Sequence, residues 1–255
     1  MHVSLAAEKL FSFFGIPVNN AIFTTWIVMA VLIVMAVMVR RKLSTIPGRF
    51  QATLEMVYGY FLDTADNVVG NPKVVREMMP FVMTLFLFIL LSNWTGVLPG
   101  NSTVGISHAA AASAEEKHHI ISFLRPPSTD LNMVLVMAML AVGYVQYLGM
   151  KYVGVKKYLG KFFNFSGPIQ FFIGILEFIS ELTRTLSYTF RLFGNIFAGK
   201  VLVTVMFFLT ISFVPFVPIL PVPFFMLEMF VGAIQAFVFC FLVIVLTSVA
   251  VSDSH

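Results

Sequence analysis

Three stretches without a charged side chain constrain the fold of this chain most, because each is long enough to cross a lipid bilayer. They cover residues 21–39, 80–98 and 131–150. A helix needs about 20 apolar residues to span a hydrocarbon core about 30 Å thick. Of the 255 residues, 59% are hydrophobic and 11% are charged, whereas about 25% are charged in a soluble domain. The composition excludes a soluble enzyme and predicts an all-α integral membrane protein with three upright transmembrane helices.

Lysine and arginine are distributed unevenly over the loops between these spans. Residues 40–78 contain six, residues 99–130 contain two and residues 151–165 contain four. Cations accumulate in cytoplasmic loops. We therefore predict an external N-terminus over residues 1–20, an external loop over 99–130, two cytoplasmic loops and a cytoplasmic C-terminus. The net charge of +4 then reflects topology and does not indicate a nucleic-acid partner. The simplest location is a bacterial cytoplasmic membrane.

Two local patterns describe the segments between the spans. Apolar residues recur at helical spacing in the first cytoplasmic loop, at Phe50, Leu54, Val57 and Phe61. This pattern predicts either an interfacial helix on the membrane surface or a connector helix packed on its neighbours, and both interpretations remain open. Ahead of the third span, Asp130 is the predicted N-cap of that helix.

The C-terminal part of the chain has a different organisation. From residue 167 to residue 250 nearly every side chain is apolar, and the run is interrupted by four prolines between 215 and 223. Proline breaks helices, so we predict a hairpin of two long helices over residues 168–212 and 224–251. The first would be about 67 Å long at 1.5 Å per residue. Because this exceeds the bilayer thickness, we expect a strongly tilted, broken or near-horizontal helix.

A stripe of polar residues follows the first of these two helices. Its members are separated by three or four residues and fall within an arc of about 80°: Glu177, Glu181, Arg184, Tyr188, Arg191 and Asn195. A charge at mid-membrane costs about 2.5–3.5 kcal/mol even on the lenient insertion scale, and normally faces protein or water. The stripe therefore predicts a polar path or a polar partner.

Arg191 differs from the other charged members of the stripe. Glu181 and Arg184 are three residues apart and can form a simple ion pair, an alternative to a role in ion passage. No acid lies three or four residues from Arg191, so we expect its partner to be an external carboxylate. On another face, Lys200 can pair across the hairpin with Glu228.

Residues 191–199 read RLFGNIFAG and resemble subunit a of F-type ATP synthases. Three further motifs occur in the family's order: SNWTGVLP at 92–99, STDLN at 128–132 and IQAFVF at 234–239. The resemblance covers most of the chain. It implies the stator channel of the membrane sector, which contacts a rotating ring of small two-helix subunits and the membrane subunits of a peripheral stalk. No catalytic site, cofactor or metal is expected in the chain itself.

The resemblance assigns the family's essential arginine to Arg191, which faces the buried carboxylates of the ring. Two offset half-channels pass ions between these carboxylates and the two sides of the membrane. The arginine prevents an ion from crossing directly between the half-channels. We expect H⁺ as the ion, while the sequence leaves Na⁺ open, since selectivity in this family lies mostly in the ring subunit.

Other family positions transfer residue by residue. Asn195 and Gln235 match polar residues near the arginine, and Glu177 matches an acid of the cytoplasmic half-channel. Lys200 and Glu228 depart from a common pattern that has an acid nine residues after the arginine and a histidine seven before the glutamine. We interpret them as an exchanged pair in which Glu228 relays the ion and Lys200 tunes it, with a structural bridge as the alternative. The candidate ion pathway is Glu228, Lys200, Gln235, Asn195, Glu177, Glu181, Arg184 and Tyr188.

Three other functions explain the sequence less well. A secondary transporter or a respiratory-complex channel subunit is the main alternative, but no internal repeat of the kind typical of transporters is visible. A purely structural scaffold does not account for the Arg191 stripe. An independent enzyme is disfavoured because the sequence shows no phosphate-binding glycine loop, nucleophile elbow or metal-ligand spacing.

Overall fold

The computed structural model describes residues 9–13, 16–41, 43–97, 105–107, 120–122, 125–162, 167–213 and 221–252. Within them the chain forms the helices α1 Asn20–Arg41, α2 Arg49–Val69, α3 Pro72–Trp94, α4 Leu131–Val153, α5 Val155–Phe162, α6 Pro168–Phe213 and α7 Val222–Ser252. In these described segments, five helices are long and apolar enough to cross a membrane, namely α1, α3, α4, α6 and α7. The predicted all-α membrane class is confirmed.

Outside the helices, the described residues include two short antiparallel strand pairs that were not predicted from the sequence. Strand β1 Lys9–Phe13 pairs with β2 Ile16–Asn19, and β3 Gly105–Ser107 pairs with β4 Ile120–Ser122. Runs of three to five residues are too short for their periodicity to be read from sequence.

Helix α2 shows how the segment between the first two predicted spans is organised. The ring of Phe61 is buried and lies 5.1 Å from the ring of Phe86 in α3 and 5.5 Å from that of Phe237 in α7. The packed-connector interpretation therefore applies to the C-terminal half of α2. At its first turn, Phe50 is exposed, so contact of that end with the membrane surface stays a prediction.

Helix α4 begins as its sequence indicates. The backbone N–H of Asn132 donates to Oδ1 of Asp130 at 2.9 Å, directly before the first helical residue, Leu131. This is the contact an N-cap makes with the second residue of a helix. The predicted capping role of Asp130 is confirmed.

The predicted spans and the helices differ at some ends. Helix α3 starts at Pro72, eight residues before the predicted span over 80–98, and Pro80 lies inside it. The charged residues Lys73, Arg76 and Glu77 occupy its first two turns, and this is why a search for charge-free runs placed the start later. Helix α6 is about 69 Å long at 1.5 Å per residue, and its tilt stays a prediction.

The chain divides into two compact units. One comprises Met1–Met35, Leu87–Val134 and Leu192–Ala236, and the other comprises Ala36–Phe86, Leu135–Arg191 and Phe237–His255. In the first unit, Nδ2 of Asn93 donates to the carbonyl oxygen of Gly232 at 2.9 Å and joins α3 to α7. In the second, the rings of Phe81 and Tyr144 stack 4.1 Å apart and join α3 to α4.

Candidate functional site

The predicted polar stripe lies on one uninterrupted helix, since α6 runs from Pro168 to Phe213. Its members have different surroundings. Glu177, Glu181 and Arg184 are half-buried, and Tyr188 is buried with its ring 5.8 Å from that of Phe239 in α7. Arg191 and Asn195 are exposed. Exposure therefore changes along the stripe, from the buried Tyr188, which α7 covers, to the exposed Arg191 and Asn195.

Arg191 lies in the open part of α6. Among the residues that the structure describes, its guanidinium is in no ion pair. The neighbouring side chain of Phe190 is 60% exposed, and a Cβ added at Gly194 would meet no atom of the described chain within 4 Å. Arg191 thus presents a positive charge on an accessible helix surface with space in front of it.

Glu181 lies at the centre of a cluster that joins three helices. Its Oε2 accepts a hydrogen bond from Nη1 of Arg184 at 3.0 Å, which is the ion pair predicted from their spacing. Its Oε1 accepts a hydrogen bond from Nε2 of Gln146 in α4. The amide oxygen of Gln146 in turn accepts from the hydroxyl of Tyr158 in α5. We call these four residues the Glu181 cluster.

Gln146 and Tyr158 are not among the site residues predicted from the sequence. Gln146 is a polar side chain within a predicted span of otherwise mostly apolar residues, and this was a usable signal, because buried polar groups normally have hydrogen-bond partners. Nothing in the sequence indicates that Tyr158 reaches it. That contact depends on how α5 packs against α4.

Asn195 and Gln235 form a direct contact between α6 and α7. Nδ2 of Asn195 donates to Oε1 of Gln235 at 2.8 Å. The side chain of Gln235 is buried, with 4% of its surface exposed. Because an unpaired buried amide is costly, this hydrogen bond stabilises the approach of the two helices. It joins two residues that the sequence analysis placed near the arginine.

A cavity of about 190 Å³ lies beside Glu228. Apart from Glu228 and Asn195 its lining is apolar, and a Cβ added at Gly199 would lie 3.6 Å from Cγ of Glu228. The positive charge of Lys200 acts on the carboxyl group of Glu228. The volume is sufficient for several water molecules. The predicted acid of the outer pair therefore borders a space whose lining is otherwise mostly apolar.

Comparison with known proteins identifies the family. A family model described as ATP synthase A chain matches residues 22–248. The chain belongs to this family. It is also 32% identical to the ATP synthase subunit a of Moorella thermoacetica over 236 residues, which cover 92% of each chain. The family inferred from the RLFGNIFAG segment is confirmed, and the chain is a membrane-embedded, non-catalytic subunit of an ATP synthase.

The structure sorts the predicted site residues of this A chain into separate groups. It brings Glu181 to Arg184 and Asn195 to Gln235. Glu177 lies half-buried one turn before Glu181. No group of three or more His, Cys, Asp or Glu side chains that could hold a metal ion occurs within the described ranges. The loop residues His108, His118 and His119 lie outside those ranges.

Proposed function

We propose that this chain is the stator channel of the membrane sector. In this proposal it forms two offset half-channels that pass H⁺ to and from carboxylates on a rotating ring of small two-helix subunits. Arg191 faces the ring and prevents a direct passage between the half-channels. The observation that supports this most is the exposed guanidinium of Arg191, which has no ion-pair partner in the described part of the chain.

Electrostatics explain why an arginine suits this position. A ring carboxylate that has lost its proton is too costly to expose to lipid, but it is stable opposite a fixed positive charge. Arginine remains protonated in any protein environment, so it cannot pass the proton on. It therefore separates the two half-channels while it stabilises each arriving carboxylate. A charge that moves across 100 mV gains about 2.3 kcal/mol, which biases rotation of the ring.

The remaining site residues are assigned to the two half-channels. We assign Glu177 to the cytoplasmic half-channel. Glu228 is the relay of the outer half-channel, and Lys200 tunes it. The cavity beside Glu228 supports this assignment, because a relay needs access for water or an ion. We assign Asn195 and Gln235, which are joined by a hydrogen bond, to the polar residues that serve the arginine.

The surroundings of the chain follow from the same proposal. Its partners are the ring, the membrane subunits of a peripheral stalk, and lipid. We assign the chain to a bacterial cytoplasmic membrane, and by the positive-inside rule its N-terminus is outside and its C-terminus is in the cytoplasm. ATP is made on other subunits.

Replacing the arginine tests the proposal. Arg191→Ala should abolish ATP synthesis driven by a proton gradient in vesicles that contain the whole complex, and the subunit should still insert. Arg49→Ala is a matched control, because Arg49 is an exposed cation at the start of α2. We expect Arg49→Ala to leave synthesis unchanged. Coupled synthesis at the normal rate in the Arg191→Ala complex would reject the proposal.

A further inference from the structure

The face of α6 that carries Arg191 also carries a second cation. Arg184 lies seven residues earlier on the same helix, which places it about 20° away around the axis and about 10.5 Å along it. Under the proposed function, Arg191 is the fixed charge that receives each ring carboxylate. An unpaired Arg184 would offer a second attractive position two turns away. The ring would then have two competing resting positions.

The structure shows that Arg184 is already paired. Its guanidinium lies 3.0 Å from Oε2 of Glu181, and the Glu181 side chain is only 15% exposed. The other carboxylate oxygen accepts a hydrogen bond from Gln146. Both oxygens of Glu181 are thus engaged. A carboxylate in this state is suited to neutralise its neighbour and poorly suited to pick up and release ions.

Gln146 and Tyr158 determine how Glu181 is held. A glutamine amide has a donor end and an acceptor end. The hydroxyl of Tyr158 donates to the amide oxygen of Gln146, so the NH₂ group of Gln146 is directed at Glu181. Tyr158 is buried, so packing keeps its hydroxyl group at Gln146.

Gly149 provides the space that Tyr158 occupies. A Cβ added at Gly149 would lie 2.5 Å from Cε2 and 2.8 Å from Cζ of Tyr158. Both distances are far shorter than a van der Waals contact. The aromatic ring is rigid, so its atoms cannot move aside as the end of a flexible side chain can. The close approach of α5 to α4 therefore requires glycine at this position, and it places the Tyr158 hydroxyl at Gln146.

We infer that Gln146 and Tyr158 are positioning residues that hold Glu181 on Arg184, so that Arg184 is neutralised and Arg191 alone receives the ring carboxylates on this face. The inference depends on the proposed function of Arg191. It gives Glu181 a neutralising role in place of the ion-carrying role considered from the sequence. The Glu181 cluster then improves coupling by removing a competing charge.

Two variants test this inference in the assembled complex: one neutralises Glu181 alone, and the other neutralises both Glu181 and Arg184. We call the second the double neutral variant. Glu181→Gln leaves Arg184 uncompensated, and we expect ATP-driven proton pumping to fall about fivefold, which equals about 1 kcal/mol. Glu181→Gln combined with Arg184→Gln removes both charges, and pumping should return to within about twofold of the unmodified complex. A single variant with full activity would overturn the inference, as would a double variant as impaired as the single one.

The positioning role requires a separate measurement that a general packing defect would not reproduce. Tyr158→Phe should lower pumping when Glu181 and Arg184 are present and have no further effect in the double neutral variant. Tyr147→Phe is the matched control, since Tyr147 is an exposed tyrosine of α4, and it should be silent in both backgrounds. Equal losses from Tyr158→Phe in both backgrounds would show a packing role and overturn the positioning role.

Arg191→Ala separates a failure of this inference from a failure of the proposed function. It should abolish pumping in the unmodified and in the double neutral background. If Arg191→Ala is inactive and the double neutral variant stays impaired, the neutralising role is wrong and the proposed function stands. If Arg191→Ala remains active, the proposed function is wrong.

Discussion

Glu228 provides the sharpest test of how an ion enters from the outer side. Among the described residues that line the cavity between α6 and α7 it is the one titratable side chain, since Asn195 is an amide and the others are apolar. Glu228→Gln keeps the size of the side chain and removes its ability to exchange a proton. Loss of a general acid–base group typically costs 10²–10⁴-fold in rate. With no second titratable group among the described lining residues, we expect proton flux to fall by about 100-fold, equal to about 2.7 kcal/mol of barrier.

The assay measures proton flux in vesicles that contain the whole complex, using a pH-sensitive dye, at neutral pH. Lys200→Gln and the double variant Glu228→Gln/Lys200→Gln are measured beside the single one. If Glu228 is a relay, the double variant remains as slow as Glu228→Gln, because the exchangeable group is still missing. If the two residues form only a structural bridge, removing both charges restores flux. Unchanged flux in Glu228→Gln would refute the relay directly.

Two further predictions concern stability in detergent or lipid. A double-mutant cycle of Asn195→Ala and Gln235→Leu should give a coupling energy of about 0.6 kcal/mol and at most about 1.7 kcal/mol, the range found for interhelical hydrogen bonds in membranes. Strictly additive effects on unfolding would show that the 2.8 Å contact contributes nothing. Gly232→Ala should lower thermal stability, because the new Cβ would lie 2.9 Å from Cβ of Asn93 and overpacking costs about 1–3 kcal/mol. Gly199→Ala, whose Cβ would make ordinary contacts, is the control that should be tolerated, and equal stability of the two variants would contradict the clash.

The helices of this chain were largely predictable from its sequence for a physical reason. A segment in lipid must satisfy its backbone hydrogen bonds internally, so a long charge-free run becomes a helix. The N-cap at Asp130 followed from local chemistry of the same kind. The start of α3 was not predicted, because Lys73, Arg76 and Glu77 lie in helical turns that a search for charge-free residues excludes. A run without charged residues locates the apolar part of a helix, but it does not show where the polar ends of that helix lie.

The candidate site was predictable only in part. Regular spacing on one helix identified the stripe from Glu177 to Asn195, because residues three and four apart share a face in any helix. The hydrogen bond from Gln146 to Glu181 joins residues 35 positions apart. Which residue of α4 reaches α6, and which residue of α5 reaches α4, is decided by tertiary packing. Sequence spacing contains no information on that packing.

Two acid–base pairs in the C-terminal hairpin lead to opposite expectations, although both consist of one carboxylate and one cation. The two carboxylate oxygens of Glu181 are bound by Arg184 and Gln146. Glu228 instead lines a cavity, and the positive charge of Lys200 acts on its carboxyl group. Under our inference, the Glu181 carboxylate can be removed together with Arg184, because its role is to neutralise that cation. Glu228 cannot be deleted in this way if it acts as the proposed relay, because a relay must exchange a proton. Neutralising both members should therefore restore pumping at Glu181 and leave it blocked at Glu228. Restoration at both pairs would remove Glu228 from the ion path.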